Sequence, residues 1–211
     1  PLRCKGTAEF PEFRHLPQIL FFILLQSNAP IRIFFSNFVY AEEFIAQGDA
    51  VGFLSFSGTD RWRSPRKGAS AVNALLNSVY DLQPGTAAAD YINAALSLLS
   101  RQRKRSLVVL LTNVGGEDLG DLLPALQLLK RQHLVLLANL REKVLDDNLT
   151  RQVYTFEDAL SWSATHLFLD DRQKRHREIQ QQGVLMLDVT PEDLPVAVVN
   201  RYLDIKRSGL L

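Results

Sequence analysis

The side chains that could do chemistry are few, and their spacing argues against most reaction classes. Cys4 is the only cysteine in 211 residues, so neither an intramolecular disulfide nor a cysteine-rich metal site can form. The histidines are His15, His133, His166 and His176, and no two stand at the His-x-x-x-His spacing that puts two ligands on one helix face. His133 opens an apolar run and reads as a structural residue. His166 and His176 fall in a largely polar helical stretch, away from any strand end. Ser55 and Ser57 lack the Gly-x-Ser-x-Gly elbow that exposes a nucleophile. Gly115-Gly116 follows an apolar run, but there is no Gly-x-Gly-x-x-Gly and no phosphate loop ending in Gly-Lys-Ser/Thr, so the pair reads as a turn. The basic clusters Arg61–Lys67 and Arg101–Arg105 have no aromatic interleaving of the kind that stacks nucleic-acid bases. They read as a solvated loop and a helix C-terminus, where positive charge complements the dipole. A formal net charge of +1 gives no overall nucleic-acid signature.

The elements that must position any site alternate along most of the chain. Ala50–Phe56 is a short apolar run after a Gly-Asp turn, as a buried parallel strand requires. A basic edge element over Arg61–Lys67 and a helix over Ala69–Tyr80 follow, then a break at Pro84-Gly85. A helix over Asp90–Ser100 puts Ile92, Ala95, Leu96 and Leu99 on one face. Leu107–Leu111 is the clearest strand. Next come a helix over Glu117–Gln132, a strand over His133–Asn139 and a long helix towards Gln182 that opens on the capping box Thr155-Phe156-Glu157-Asp158. Val184–Asp188 is the last strand, and Thr190-Pro191-Glu192-Asp193 opens the final helix. Alternating strands and helices specify βαβ units and a mostly parallel sheet with helices on both faces. In such a sheet ligands sit outside the carboxyl ends of the strands. The loops at Ser57–Asp60, Pro84–Asp90, Thr112–Asp118 and Asn139–Arg141 are therefore the candidate site.

Residues 1–47 differ from the rest, with eight of the twelve phenylalanines ahead of Gln47. The run Ile19–Leu25 is far short of the roughly 20 apolar residues a spanning helix needs, and reads as a buried helix or strand. Residues 48–211 read as one domain.

Several phrases in order resemble a bacterial family. They are Gln47-Gly48-Asp49-Ala50-Val51-Gly52, Arg61-Trp62 with Lys67-Gly68, Asp81-Leu82-Gln83-Pro84, Arg105 to Asn113, His133-Leu134-Val135-Leu136, and Val199 to Gly209. Together they resemble the domain of unknown function 58 (DUF58) proteins over Gly48–Leu211. The resemblance implies an α/β, Rossmann-like, von Willebrand factor A-type fold and association with MoxR-type AAA+ ATPases. It also implies a cytoplasmic location, with membrane attachment only through a segment upstream of this chain. Von Willebrand A-like domains often bind a divalent ion through an Asp-x-Ser-x-Ser loop, a threonine and an aspartate. Here there is no Asp-x-Ser-x-Ser. Thr86 lies near the second-loop position, Asp90 opens the next helix, and Asn113 stands where the third loop carries aspartate. An amide keeps the oxygen but loses the charge a hard cation such as Mg²⁺ needs. The implied metal-ion-dependent site is thus degenerate, and no cofactor is expected. Relatives also place the ion-loop strand ahead of the Gly-Asp turn. Matching Leu2–Lys5 to the residues just after that strand leaves the first strand missing and makes 1–47 a truncated or frame-altered segment. The function so implied is a non-catalytic protein-interaction module, binding through strand-end loops around Asp60, Thr86, Asp90 and Asn113. The alternative is a nucleotide- or Mg²⁺-dependent enzyme using Asn113–Gly116.

Overall fold

Seven apolar residues in a row, Ile19 to Leu25, form the strand at the heart of the sheet. A computed structural model describes residues 19–25, 48–56, 60–79, 89–115 and 118–210. In chain order the strands are β1 (Ile19–Leu25), β2 (Ala50–Phe56), β3 (Arg61–Arg66), β4 (Leu107–Thr112), β5 (Leu134–Leu140) and β6 (Leu185–Val189). The helices are α1 (Ala69–Val79), α2 (Tyr91–Arg101), α3 (Leu119–Lys130), α4 (Lys143–Thr150), α5 (Phe156–Gln181) and α6 (Leu194–Arg207). The sheet order is β3-β2-β1-β4-β5-β6, parallel throughout except where β3 runs antiparallel to β2.

The first strand is therefore present, which corrects the expectation that it is missing. Phe22 lies opposite Phe53 of β2 on one side and Val109 of β4 on the other, so β1 bridges the two halves of the sheet. An uninterrupted apolar run without turn residues is what a central parallel strand demands, because both its faces are covered. The sheet thus reaches back across position 48 into the Phe-rich segment. Ile31–Phe35, the other apolar run there, lies outside the described residues.

Alternation along the strands sorts the core into two layers. Leu107, Val109 and Leu111 join Val51, Phe53, Leu75, Val198, Tyr202 and Ile205 on the face covered by α1 and α6. Val108 and Leu110 join Leu54, Leu98, Leu126, Leu137 and Ile179 on the face covered by α2, α3 and α5. Helix α2 buries Tyr91, Ala94, Ala95 and Leu98, one position off the stripe read from the sequence, and Leu96 is exposed. The two alanines give the helix a flat face on the sheet, and the Tyr91 hydroxyl is drawn to Thr112. At the β3 edge, Arg61, Arg63, Pro65 and Arg66 blunt a strand whose free backbone would otherwise invite pairing. Strand-period apolar runs, turn glycines and capping signals thus agree on one topology.

Two of the family-like phrases meet at the amino-terminal edge of the sheet. Gly48, at φ +81°, turns the chain so that Asp49 enters the core just before β2. The Tyr202 hydroxyl donates to Asp49 Oδ2, and Lys206 Nζ donates to the same oxygen at 3.0 Å. Tyr202 and Lys206 are one turn apart on α6, so a single carboxylate fixes the last helix to the second strand. Burial pushes the Asp49 carboxyl above its ordinary range, and the Lys206 hydrogen bond opposes that. Removing the carboxylate takes the shared anionic acceptor from a buried hydroxyl and a half-buried ammonium, which are left bonded to each other at 3.1 Å. Asp49→Ala is expected to lower unfolding free energy by about 2–4 kcal/mol, and Tyr202→Phe by about 1–2 kcal/mol. Urea denaturation of the two variants beside the parent checks both values.

Candidate functional site

The carboxyl ends of β4, β5 and β6 carry a connected set of polar side chains, and α5 supplies its centre. Arg172 is only 2% exposed. Its Nη2 donates to Asp188 Oδ1 at 2.7 Å and to the Leu140 carbonyl at 2.9 Å, its Nε reaches the same Asp188 oxygen at 3.3 Å, and its Nη1 reaches Asn113 Oδ1 at 3.3 Å. One guanidinium thus touches the residue after β4, the last residue of β5 and the penultimate residue of β6. A buried cation must be met by anions and carbonyls or it costs several kcal/mol, and here the ends of the strands meet it.

Asn139, on β5 and fully buried, forms the second node. Its Oδ1 accepts from the Val114 backbone N–H at 2.9 Å. A backbone N–H can only donate, so the amide orientation is fixed and Nδ2 must donate to His176 Nε2 at 2.7 Å. His176 Nε2 is therefore the bare nitrogen, and the ring proton sits on Nδ1, which faces Asp188 Oδ2 at 3.8 Å. Burial is the main reason the His176 pKa falls below the ordinary histidine value. Asp188 opposes the shift, and the guanidiniums of Arg172, Arg175 and Arg141 add to it. Beside this node the Tyr91 and Thr112 hydroxyls lie 3.0 Å apart, and burial raises the Tyr91 phenol to about 12. Gly115 N–H donates to Asp118 Oδ2 at 2.7 Å, which closes the turn before α3.

The residues picked out by sequence fall as follows. Asn113 is half-buried and held by Arg172. Asp90 caps α2, accepting the Asn93 backbone N–H at 2.9 Å. Asp60 is exposed just before β3, on the same edge of the sheet as the carboxyl end of β2. Thr86 lies outside the described residues. His133 is buried at the start of β5, and burial lowers its pKa. His166 is exposed on α5 with its ring centroid 4.0 Å from that of Trp162. His176 is the correction: it stands at a strand end, not away from one, because α5 runs back along the rim. Arg172 and Asp188 were not picked out as site residues, and Asn139 only as the first residue of the Asn139–Arg141 loop. A signal existed in Arg172, Arg175, His176 and Ile179, which have the i, i+3, i+4, i+7 spacing of an inward face, written mostly in charged residues.

A family model described as "Protein of unknown function DUF58" matches residues 39–183. The chain belongs to the DUF58 family. Its sheet is parallel except for one antiparallel edge and carries helices on both faces, a Rossmann-like α/β arrangement. The DUF58 chain is similar to a solved structure titled BatB from Bacteroides thetaiotaomicron, at 10% identity and TM-score 0.51, covering 90% of this chain and 99% of that one. It is also similar to the D319A mutant of the PilB minor pilin from Streptococcus sanguinis, at 11% identity and TM-score 0.53, covering 94% and 62%. A von Willebrand factor type A structure from Catenulispora acidiphila matches at 12% identity and TM-score 0.46, covering 59% of this chain and 33% of that one. The DUF58 chain thus spans a third of the Catenulispora structure and less than two thirds of the PilB structure. At these identities the likeness is one of fold. No curated protein matches the chain significantly.

The neutral, partly buried ring of His176 makes stability depend on pH. A histidine whose folded pKa lies below its unfolded value of 6.5 contributes stability that is complete above pH 6.5 and lost as pH falls through the folded value. His133 acts with the same sign. Histidine NMR titration is expected to show His176 as the neutral Nδ1–H tautomer at pH 7, protonating below 6.5. Unfolding free energy measured in urea should fall between pH 7.5 and pH 5.

Proposed function

We propose that this chain is a non-catalytic protein-interaction module that binds its partner through the carboxyl-end rim of the sheet, at Asp60, Thr86, Asp90 and Asn113. The observation that carries the reading is that the rim groups a catalytic or phosphate-binding site would use already have partners. Arg172 holds Asn113 and Asp188, Asn139 holds His176, and Asp118 holds the Gly115 N–H. A nucleophile needs a free base beside it, whereas His176 spends its basic nitrogen on Asn139. A phosphate needs open backbone N–H groups, whereas Gly115 N–H already meets a carboxylate.

The described residues also do not fit a divalent cation. Asn113, the nearest counterpart of the third-loop aspartate, turns its oxygen to a guanidinium, and a second cation would be repelled there. Among the described residues no three His, Cys, Asp or Glu side chains gather closely enough to hold a metal ion. The ion-dependent site is accordingly proposed as degenerate, its role passed to direct protein contact.

The partner class we propose is a MoxR-type AAA+ ATPase, on the strength of the family resemblance, with the module facing the cytoplasm. No described helix is long and apolar enough to cross a membrane.

Capture of a purified MoxR-type ATPase by the immobilised chain tests the proposal. Asn113→Ala and Asp90→Ala are expected to weaken capture about tenfold each, the usual cost of an interface anchor. Mg²⁺ and nucleotides are expected to leave the melting temperature of the chain unchanged. Capture insensitive to both substitutions would remove the rim as the surface, and stabilisation by Mg²⁺ with a nucleotide would favour the enzyme alternative.

A further inference from the structure

Helix α5 is the longest of the described helices. Its 26 residues extend about 39 Å at 1.5 Å per residue. The buried positions are Thr165, Arg172, Arg175 and Ile179, so three of the four lie in the second half of the helix. From Phe156 to Ala164 no residue is buried. This half is built to be helical all the same. The Thr155 side chain accepts the Asp158 N–H at 3.1 Å, and the Asp158 carboxylate accepts the Thr155 N–H at 3.0 Å, completing the capping box.

Three large apolar side chains line the outward face of that helix. Phe156, Leu160 and Leu167 are 83%, 61% and 71% exposed. At about 100° per residue they fall within about 40° of one another, while Arg172 and Ile179 point some 100° or more away, into the domain. The stripe is therefore not a spare part of the core. Ser163 and Ala164 lie between its members and leave room for a close-packed helix, and Tyr154, 81% exposed, extends it past the cap. Apolar side chains at helical spacing on a face turned from the core mark a surface covered by something else.

Charge selects what covers it. From Gln152 to Asp171 there is no lysine or arginine, while Glu157, Asp158, Asp170 and Asp171 are acidic. Asp158 serves the cap and Asp171 pairs with Arg175, which leaves Glu157 and Asp170, both exposed, flanking the stripe. Such a surface repels an anionic bilayer, whose ligands carry lysine and arginine beside the apolar face. A second copy of this chain would set the same acids against each other. The geometry points to a second docking surface, the outward face of α5 from Tyr154 to Leu167, which takes an amphipathic helix of a partner protein with basic residues flanking its apolar face. This surface is separate from the strand-end rim and does not depend on it.

The test uses the whole chain and two synthetic amphipathic helices, one pairing a leucine face with lysines and one pairing it with glutamates. Calorimetry should show binding of the lysine peptide that weakens with salt, and no binding of the glutamate peptide. The variant Phe156→Ser/Leu160→Ser/Leu167→Ser should lose affinity for the lysine peptide at least about tenfold while keeping its melting temperature, since exposed positions contribute little to stability. Asn113→Ala should bind the peptide like the parent, which keeps this surface distinct from the rim. Equal binding of both peptides, or unchanged binding by the triple variant, would overturn the proposal. So would a dimer of the parent that the triple variant abolishes, or slow amide exchange and chemical protection of the stripe in the free chain.

Discussion

A guanidinium placed under the ends of parallel strands has to be surrounded by acceptors, and this one requirement organises the rim. Arg172 is removed from water and cannot shed its proton, so the neutral escape open to a buried lysine or histidine is closed to it. Its acceptors come from the residue after β4, the end of β5 and the end of β6. The same contacts fix α5 over β5 and β6. They also make the surroundings of His176 cationic, which together with burial keeps that ring neutral and lets Asn139 use its bare nitrogen. Replacing the arginine would therefore disturb four elements at once, although it belongs to only one.

The opposite edge of the sheet uses the reverse arrangement. There a single buried carboxylate, Asp49, collects a hydroxyl and an ammonium from α6. The two edges divide the labour: the amino-terminal edge closes the chain on itself, and the carboxyl-terminal edge presents a polar rim in which Arg172, Asn139 and His176 are held by neighbouring groups. A rim of this kind is suited to recognition, because its groups are held in place before a partner arrives and little ordering entropy remains to oppose binding. The family phrases Gly48-Asp49 and Tyr202 to Lys206 stand far apart in sequence because they build one contact between the second strand and the last helix.

Much of this was legible in the amino acids. The mostly apolar Ala50–Phe56 and the wholly apolar Leu107–Leu111 announced buried parallel strands, and Thr155 with Asp158 announced the start of α5. Other features were not. Ile19–Leu25 has the composition of a central strand but stands in a Phe-rich context, and periodicity cannot tell a short buried strand from a buried helix. In α2 two overlapping stripes, through Ile92 or through Tyr91, fit the same period, and the small Ala94 and the Tyr91–Thr112 contact decided between them. The inward face of α5 was illegible for a different reason. Hydrophobic periodicity assumes that what faces inward is apolar, and Arg172, Arg175 and His176 break that assumption because the strand ends offer them acceptors. Of the four candidate residues, Asn113 was readable from its place after a strand, but its partner Arg172 lies 59 residues later and no local pattern joins them.

Arg172 and Asp188 are coupled through a part-buried ion pair, the guanidinium side removed from water, that ties α5 to the end of the sheet. A double-mutant cycle on unfolding free energy, with Arg172→Met, Asp188→Asn and the pair, measures that coupling directly. A coupling energy of about 1–3 kcal/mol is expected, as for contacting charged groups in one hydrogen-bonded network. Additivity to within about 0.5 kcal/mol would contradict it.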